Sequence, residues 1–215
     1  RQYAPDSKVM SVIKADAYGH GVIQVAHALM QSDAFAVARF SEALTLRKHG
    51  FDQPITIFEG VSTIEEWQLA AEFELTPVLH QQQHLELLLK AKTSQPLPLI
   101  WLMLETGMHR LGLPQQDVIQ IIDALEKRAD LVNKLGLMSH FANSDLLNDA
   151  RNIQQLTVMK NLAETTGLPV CMANSAAIIS LPESHYDWIR PGLMLYGASP
   201  FADKSGADVG LKPVM

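Results

Sequence analysis

Lys14 is the first residue in this 215-residue chain whose type and placement together point to chemistry. It closes a run of strand formers, Lys8-Val9-Met10-Ser11-Val12-Ile13, and a tight segment with Gly19 and Gly21 follows. A lysine at the carboxyl end of a buried strand has an apolar floor below it and polar loops above. Burial disfavours the ammonium form and lowers its pKa, as an amine nucleophile requires. The same placement also describes a lysine that snorkels from a strand end into water. Other polar residues stand at the ends of later β-rich runs: His140, Asn174, Ser175 and Arg190, with Arg110 in a loop among Gly107, Met108, His109 and Gly112. Each has an ordinary reading as well: His140 a satisfied core histidine, Asn174-Ser175 a cap for a short helix, Arg190 a partner for a surface acid, Arg110 a loop arginine. Between Ile189 and Pro191, however, Arg190 sits at a buried strand end, where a desolvated guanidinium needs acceptors such as a ligand or His140.

The elements that must position these residues alternate regularly. Short β-rich runs at 8–14, 34–38, 55–58, 76–79, 97–104, 135–140, 170–173 and 186–190 are separated by helical patterns. These patterns include 20–32, a helix opened by Ser41 and stopped by Gly50, one opened by a Ser62–Glu65 capping box, and one over about 148–166. Eight strands with interleaved helices predict an α/β fold, a closed (β/α)8 barrel of the TIM type with parallel strands. An open doubly wound sheet would carry a GxGxxG turn after its first strand, and none is present. In a barrel the chemistry lies at the carboxyl ends of the strands, and phosphate is often bound by the loops after strands seven and eight. Ser175, the helix start at Ala176 and the backbone N–H of Gly192 fall there, on the same mouth as Lys14.

Composition narrows the function. Hydrophobic residues make up 47% of the chain and charged residues 19%, as in a globular protein. A net charge of −6, without a basic stripe, argues against nucleic acid as a partner. Apolar runs are strand-sized, far below the roughly 20 residues of a membrane helix. Cys171 is the lone cysteine, so no internal disulfide forms, and its apolar surroundings read as a packed thiol in a reducing, cytoplasmic setting. His80 and His84 flank three glutamines and read as an exposed polar turn rather than metal ligands, so no metal is expected.

Five segments in order carry a resemblance to alanine racemases. Val12-Ile13-Lys14-Ala15-Asp16-Ala17-Tyr18-Gly19-His20-Gly21 resembles that family's pyridoxal-phosphate lysine motif, and Glu105 to Gly112 its (D/E)TGMxRLG loop. Ser139-His140-Phe141-Ala142 is similar to its (T/S)HFA segment, Asn174-Ser175-Ala176-Ala177 to its NSAA segment, and Arg190 to Leu193 with Tyr196-Gly197 to its R(P/F)G(I/L)xxYG segment. The resemblance implies pyridoxal 5'-phosphate as cofactor, bound by Lys14, Tyr18, Arg110, His140, Asn174, Ser175, Arg190, Gly192 and Leu193, with Lys14 and Arg110 catalytic. Lys14 would be the Schiff-base lysine and one of two bases, Tyr18 would touch the phosphate, Arg110 the phenolic oxygen, and Arg190 the pyridine nitrogen.

The activity implied is racemisation of a small amino acid, L-alanine to D-alanine, a peptidoglycan precursor. The chain reads as residues 1–198 of the cofactor-binding barrel and 199–215 starting a linker to a C-terminal β domain, a part expected to be inactive alone. A homodimer would supply the second base, a tyrosine, from the partner's C-terminal domain. Met103 departs from the pattern: the family often has a carbamylated lysine there, which orients the loop arginine. Two other readings remain: a single-domain barrel that binds and buffers the cofactor without turnover, and a related decarboxylase.

Overall fold

Side chains along the strands alternate between two cores, and this alternation fits a sheet closed on itself. The computed structural model describes residues 2–214. In chain order its elements are β1 (Lys8–Val12), α1 (Lys14–Gly19), α2 (Val22–Ala28), β2 (Ala34–Val37), α3 (Phe40–Lys48), β3 (Ile55–Ile57), α4 (Ile64–Glu72) and β4 (Thr76–Leu79). Then come α5 (Gln82–Lys90), β5 (Ile100–Met103), α6 (Gln115–Leu125), β6 (Leu135–Met138), α7 (Ala150–Thr166), β7 (Val170–Cys171), α8 (Ser175–Ser180) and β8 (Trp188–Ile189). The strands pair in parallel from β1 through β8, and β8 returns to β1 with Val9 opposite Ile189. The chain is a closed eight-stranded (β/α)8 barrel.

Inward-facing Met10, Val12, Ala34, Ala36, Val78, Trp101, Met103, Met138 and Cys171 fill the barrel. Their neighbours Val9, Ile13, Phe35, Val37, Ile55 and Ile57 point outward, into the larger core beneath the helices. Trp101 is fully buried and takes the space left by Gly136 across the β5–β6 pair. A Cβ on Gly136 would lie 2.5 Å from the indole, so any other residue there would displace it.

Several ladders are shorter than the apolar runs that signal them. β1 stops at Val12 rather than Lys14, and β5 begins at Ile100 rather than Leu97. Only Trp188 and Ile189 of 186–190 pair as β8. At the mouth the strands pass into the site loops, and at the amino end of β5 Leu97 keeps only an isolated bridge to Val132. Two helix starts also differ. Ser41 lies inside α3, whose opening is held by Glu42, the acceptor of the Ala38 and Arg39 N–H groups at 2.9 Å each. The α4 cap is Thr63, one residue later than Ser62: its hydroxyl accepts from Glu66 N–H at 3.1 Å, and the Glu66 carboxylate accepts from Ser62 N–H at 2.6 Å. This register turns Trp67, Ala70 and Ala71 into the core.

His84 is 1% exposed, not part of an exposed turn. Its Nε2 lies 2.9 Å from Gln81 Nε2, and its ring packs edge-on against His80. Cys171 is buried as expected. After Gly197 the chain folds back on the barrel: Phe201 and Val209 pack with Ala176, and the Tyr3 hydroxyl donates to the Val209 carbonyl at 2.7 Å. Among the described residues no helix is long and apolar enough to cross a membrane.

Candidate functional site

The inward residues of the barrel's upper layer, Val12, Phe58, Met103, Met138 and Arg190, floor a cavity of about 540 Å³ at the carboxyl ends of the strands. All nine residues singled out in the sequence line it: Lys14, Tyr18, Arg110, His140, Asn174, Ser175, Arg190, Gly192 and Leu193. Met103 belongs to the floor, so an apolar thioether lies where a charged lysine would otherwise be available.

Lys14 enters the cavity through unusual backbone. Ala15, Asp16, Ala17 and Tyr18 have φ between 51° and 56°, one turn of left-handed helix built from non-glycine residues. Each such residue costs roughly 1–2 kcal/mol because Cβ crowds the following carbonyl. Hydrogen bonds hold the turn. Ala15 N–H donates to Glu42 Oε1 at 2.6 Å, Val22 N–H to Asp16 Oδ1 at 2.7 Å, and Gly21 N–H to the Asp16 carbonyl at 3.0 Å. Tyr196 braces it from the side, with ring centroids 4.6 Å from His20 and 5.0 Å from Tyr18.

The loops after β7 and β8 are tied together by a small set of hydrogen bonds. Asn174 caps α8, accepting from Ala177 N–H at 3.1 Å and from the Ser144 hydroxyl at 2.8 Å. Ser175 Oγ accepts from the N–H groups of Gly192 (3.0 Å) and Met194 (3.3 Å). A Cβ on Gly192 would lie 2.7 Å from the Tyr18 hydroxyl, so only glycine lets that phenol approach the backbone. Three polar groups from distant segments therefore converge: Ser175 Oγ, Gly192 N–H and the Tyr18 hydroxyl.

Opposite them lies a cationic wall. Arg190 is 3% exposed and donates to the carbonyls of Cys171 and Ser139 at 2.7 Å each. Its Nη2 is also 3.1 Å from His140 Nδ1, and its guanidinium stacks 5.8 Å over Phe58. Burial first, then Arg190, Arg110 and Lys14, push the His140 pKa down to about 3. The imidazole is neutral at pH 7, and its Nδ1 lone pair accepts from Arg190. The expected Arg190–His140 contact is present, and no carboxylate takes part in it.

Arg110 reaches the cavity from the loop after β5. The Glu105 carboxylate accepts from Gly107 N–H and from His109 N–H at 2.8 Å, closing the loop on itself. Thr106 Oγ1 lies 2.8 Å from Ser139 Oγ, tying this loop to the one after β6.

Sequence reasoning missed Phe58, Ser144 and Asp145 in the lining, and Glu42 and Gln155 behind it. Gln155 had a readable signal. With Asn152, Met159 and Leu162 it forms the buried stripe of α7, where an amide is out of place unless it is bonded.

Residues 1–200 match the sequence profile of a family described as "Alanine racemase, N-terminal domain". The alanine racemase of Nitrosococcus oceani is 48% identical over 215 residues, covering 100% of this chain and 60% of its own length. The solved biosynthetic alanine racemase of Pseudomonas aeruginosa superposes with a TM-score of 0.95 at 39% identity, over 100% of this chain and 60% of that one. The alanine racemase of Acinetobacter baumannii gives 0.90 at 41% identity, with 100% and 63% covered. The chain thus spans about 60% of the length of the curated relatives it matches.

Proposed function

Because this chain belongs to the alanine racemase N-terminal domain family, we propose that it is the cofactor-binding barrel of a protein that interconverts L- and D-alanine. The observation that carries this reading is the convergence of nine residues, from Lys14 to Leu193, on one cavity. Pyridoxal 5'-phosphate is the cofactor we assign to it, and the chemistry of the lining fits. Ser175 Oγ accepts from Gly192 N–H and Met194 N–H, which leaves its own hydroxyl proton to donate; with the Tyr18 hydroxyl beside it, this makes a pair of donors without a carboxylate, suited to a phosphate. Lys14 supplies the amine for the aldehyde, and Arg110 and Arg190 suit the ring's phenolic oxygen and its nitrogen. When bound, the cofactor supplies an electron sink for charge left on the substrate's α-carbon.

The chain's own residues do the rest. Lys14 Nζ takes or returns the α-proton on one face. Arg190, a permanent cation among carbonyls and a neutral imidazole, keeps a ring nitrogen beside it unprotonated, because two positive charges at contact disfavour one another. That limits charge withdrawal and favours simple proton exchange over side reactions. His140, held neutral, orients Arg190 without competing for its charge. By the same family resemblance, the proton on the opposite face is handled by a tyrosine of a C-terminal domain in the partner of a homodimer, with residues 199–215 beginning the connection. The barrel alone is then inactive. Cys171, buried and unpaired, suits a reducing compartment, and we assign the protein to the cytoplasm.

The test uses the full-length protein. Borohydride treatment with pyridoxal phosphate should fix the cofactor on Lys14, located by peptide mass spectrometry, and L-alanine should yield D-alanine by chiral chromatography. Lys14→Ala should abolish both. Capture on a different lysine, or unchanged turnover in the variant, overturns the assignment.

A further inference from the structure

We propose that Gln155 is a positioning residue that sets the place of Arg110 by locking the loop after β5 onto the loop after β6; this rests on the racemase reading above. Gln155 is 1% exposed, and its amide is committed at both ends. Its Nε2 donates to Thr106 Oγ1 and to the His140 carbonyl, each at 2.9 Å, and its Oε1 accepts from Ala142 N–H at 2.9 Å. Thr106 stands four residues before Arg110 in the same closed loop, and Ala142 and His140 belong to the segment that carries the neutral imidazole. One side chain thus spans both pieces of backbone.

Arg110 depends on its loop for its position. Among the described residues no hydrogen bond or ion pair to its guanidinium is present, and the nearby floor residue Met103 offers no charge. The guanidinium therefore stands where its loop puts it. Glu105 sets the internal shape of that loop through Gly107 and His109, and the loop's two ends are pinned by Glu105 N–H on the Leu113 carbonyl and Leu113 N–H on the Met103 carbonyl, each at 2.9 Å. Gln155 and the Thr106–Ser139 contact attach it to the barrel. The network continues to the second arginine, since the Ser139 carbonyl accepts from Arg190 Nη2. A leucine or methionine would fill the same place on the α7 stripe without the cost of burying an amide.

The experiment is a double-mutant cycle on kcat for alanine in the full-length enzyme, with Gln155→Met, Arg110→Ala and the pair. Gln155→Met should lower kcat at least tenfold with KM changed less than threefold, and should add less than a twofold loss in the Arg110→Ala background. An equal loss in both backgrounds makes Gln155 a general structural residue and overturns the proposal, as does an unchanged kcat. Should Gln155→Met fail to fold, Gln155→Glu carries the same cycle: it keeps an acceptor for Ala142 and forfeits both donors. The racemase reading is checked separately on the unaltered enzyme. Absence of D-alanine there refutes that reading, whereas coupling lost in an active enzyme refutes only this one.

Discussion

The lysine side of the cavity is held by carboxylates and a strained turn, whereas Arg190 on the opposite wall is held by main-chain carbonyls and a neutral imidazole. At Lys14, Glu42 accepts from Ala15, Ala38 and Arg39, and Asp16 accepts from Val22, so the backbone is kept in a conformation it would otherwise leave. At Arg190, the acceptors are main-chain oxygens and the uncharged His140, with Gln155 and Thr106 bracing the loops around them. The difference follows from the charges each side must present. A carboxylate on the Arg190 guanidinium would neutralise the cation that faces the cofactor ring in the proposed mechanism, and none bonds it; the Glu105 carboxylate of the neighbouring loop is spent on the Gly107 and His109 N–H groups. Around Lys14 the carboxylates face backbone N–H groups, where they fix geometry.

Protons are the strongest way to break this contrast. His140, with a pKa of about 3 in the folded chain against 6.5 for a free imidazole, takes up a proton more readily once unfolded. Its share of stability is complete above pH 6.5 and falls as the pH drops toward 3, by about 1.4 kcal/mol per pH unit. At pH 4.5 the loss from this residue alone is on the order of 2–3 kcal/mol. Amide-exchange protection should fall first at Ala142, on the arginine side, and later at Ala15. His84, lowered to about 4 chiefly by burial, adds a similar slope elsewhere on the rim. Urea unfolding from pH 7 to 4.5 checks the sum, and a His140→Gln variant with an unaltered slope would contradict the assignment.

Glu42→Gln probes the opposite side with a smaller effect. The amide keeps one acceptor and turns an NH2 group toward backbone donors, so stability should fall by about 2 kcal/mol in denaturant unfolding. Cofactor capture on Lys14 should weaken as well, with Ala142 protection unchanged. Loss of protection at both sites would mean that the two halves are one cooperative unit.

This contrast also explains what could be read from the sequence. The β-rich runs and helical spacings gave the barrel, and the candidate site residues of both halves were visible because lysine, histidine and arginine at strand ends are conspicuous types. Their supports were not equally visible. The left-handed turn could not be anticipated from Ala15, Asp16, Ala17 and Tyr18, residues that ordinarily avoid positive φ, because the cost is offset by Glu42, 27 residues away from Ala15. Gln155 bonds to Thr106 across 49 positions, a pairing that no local pattern encodes. Helix starts slipped for a related reason: Ser62 and Thr63 are both good caps, and the burial of Trp67 decided between them.

The smallest predicted effect tests the strain itself. If the lysine side is held against a conformational cost, relieving that cost at an exposed position should stabilise the protein. Ala15 has a φ of 52° and is exposed, and its N–H bond to Glu42 does not depend on its side chain. Ala15→Gly removes the Cβ clash, worth roughly 1–2 kcal/mol, and adds unfolded-chain entropy that costs about 0.5–1 kcal/mol. The net gain is about 0.5 kcal/mol, read as a raised urea midpoint with an unchanged m-value. A glycine in an ordinary helix would lower the midpoint instead, so the sign alone decides the matter: a lower midpoint would mean that the turn is not where the strain resides.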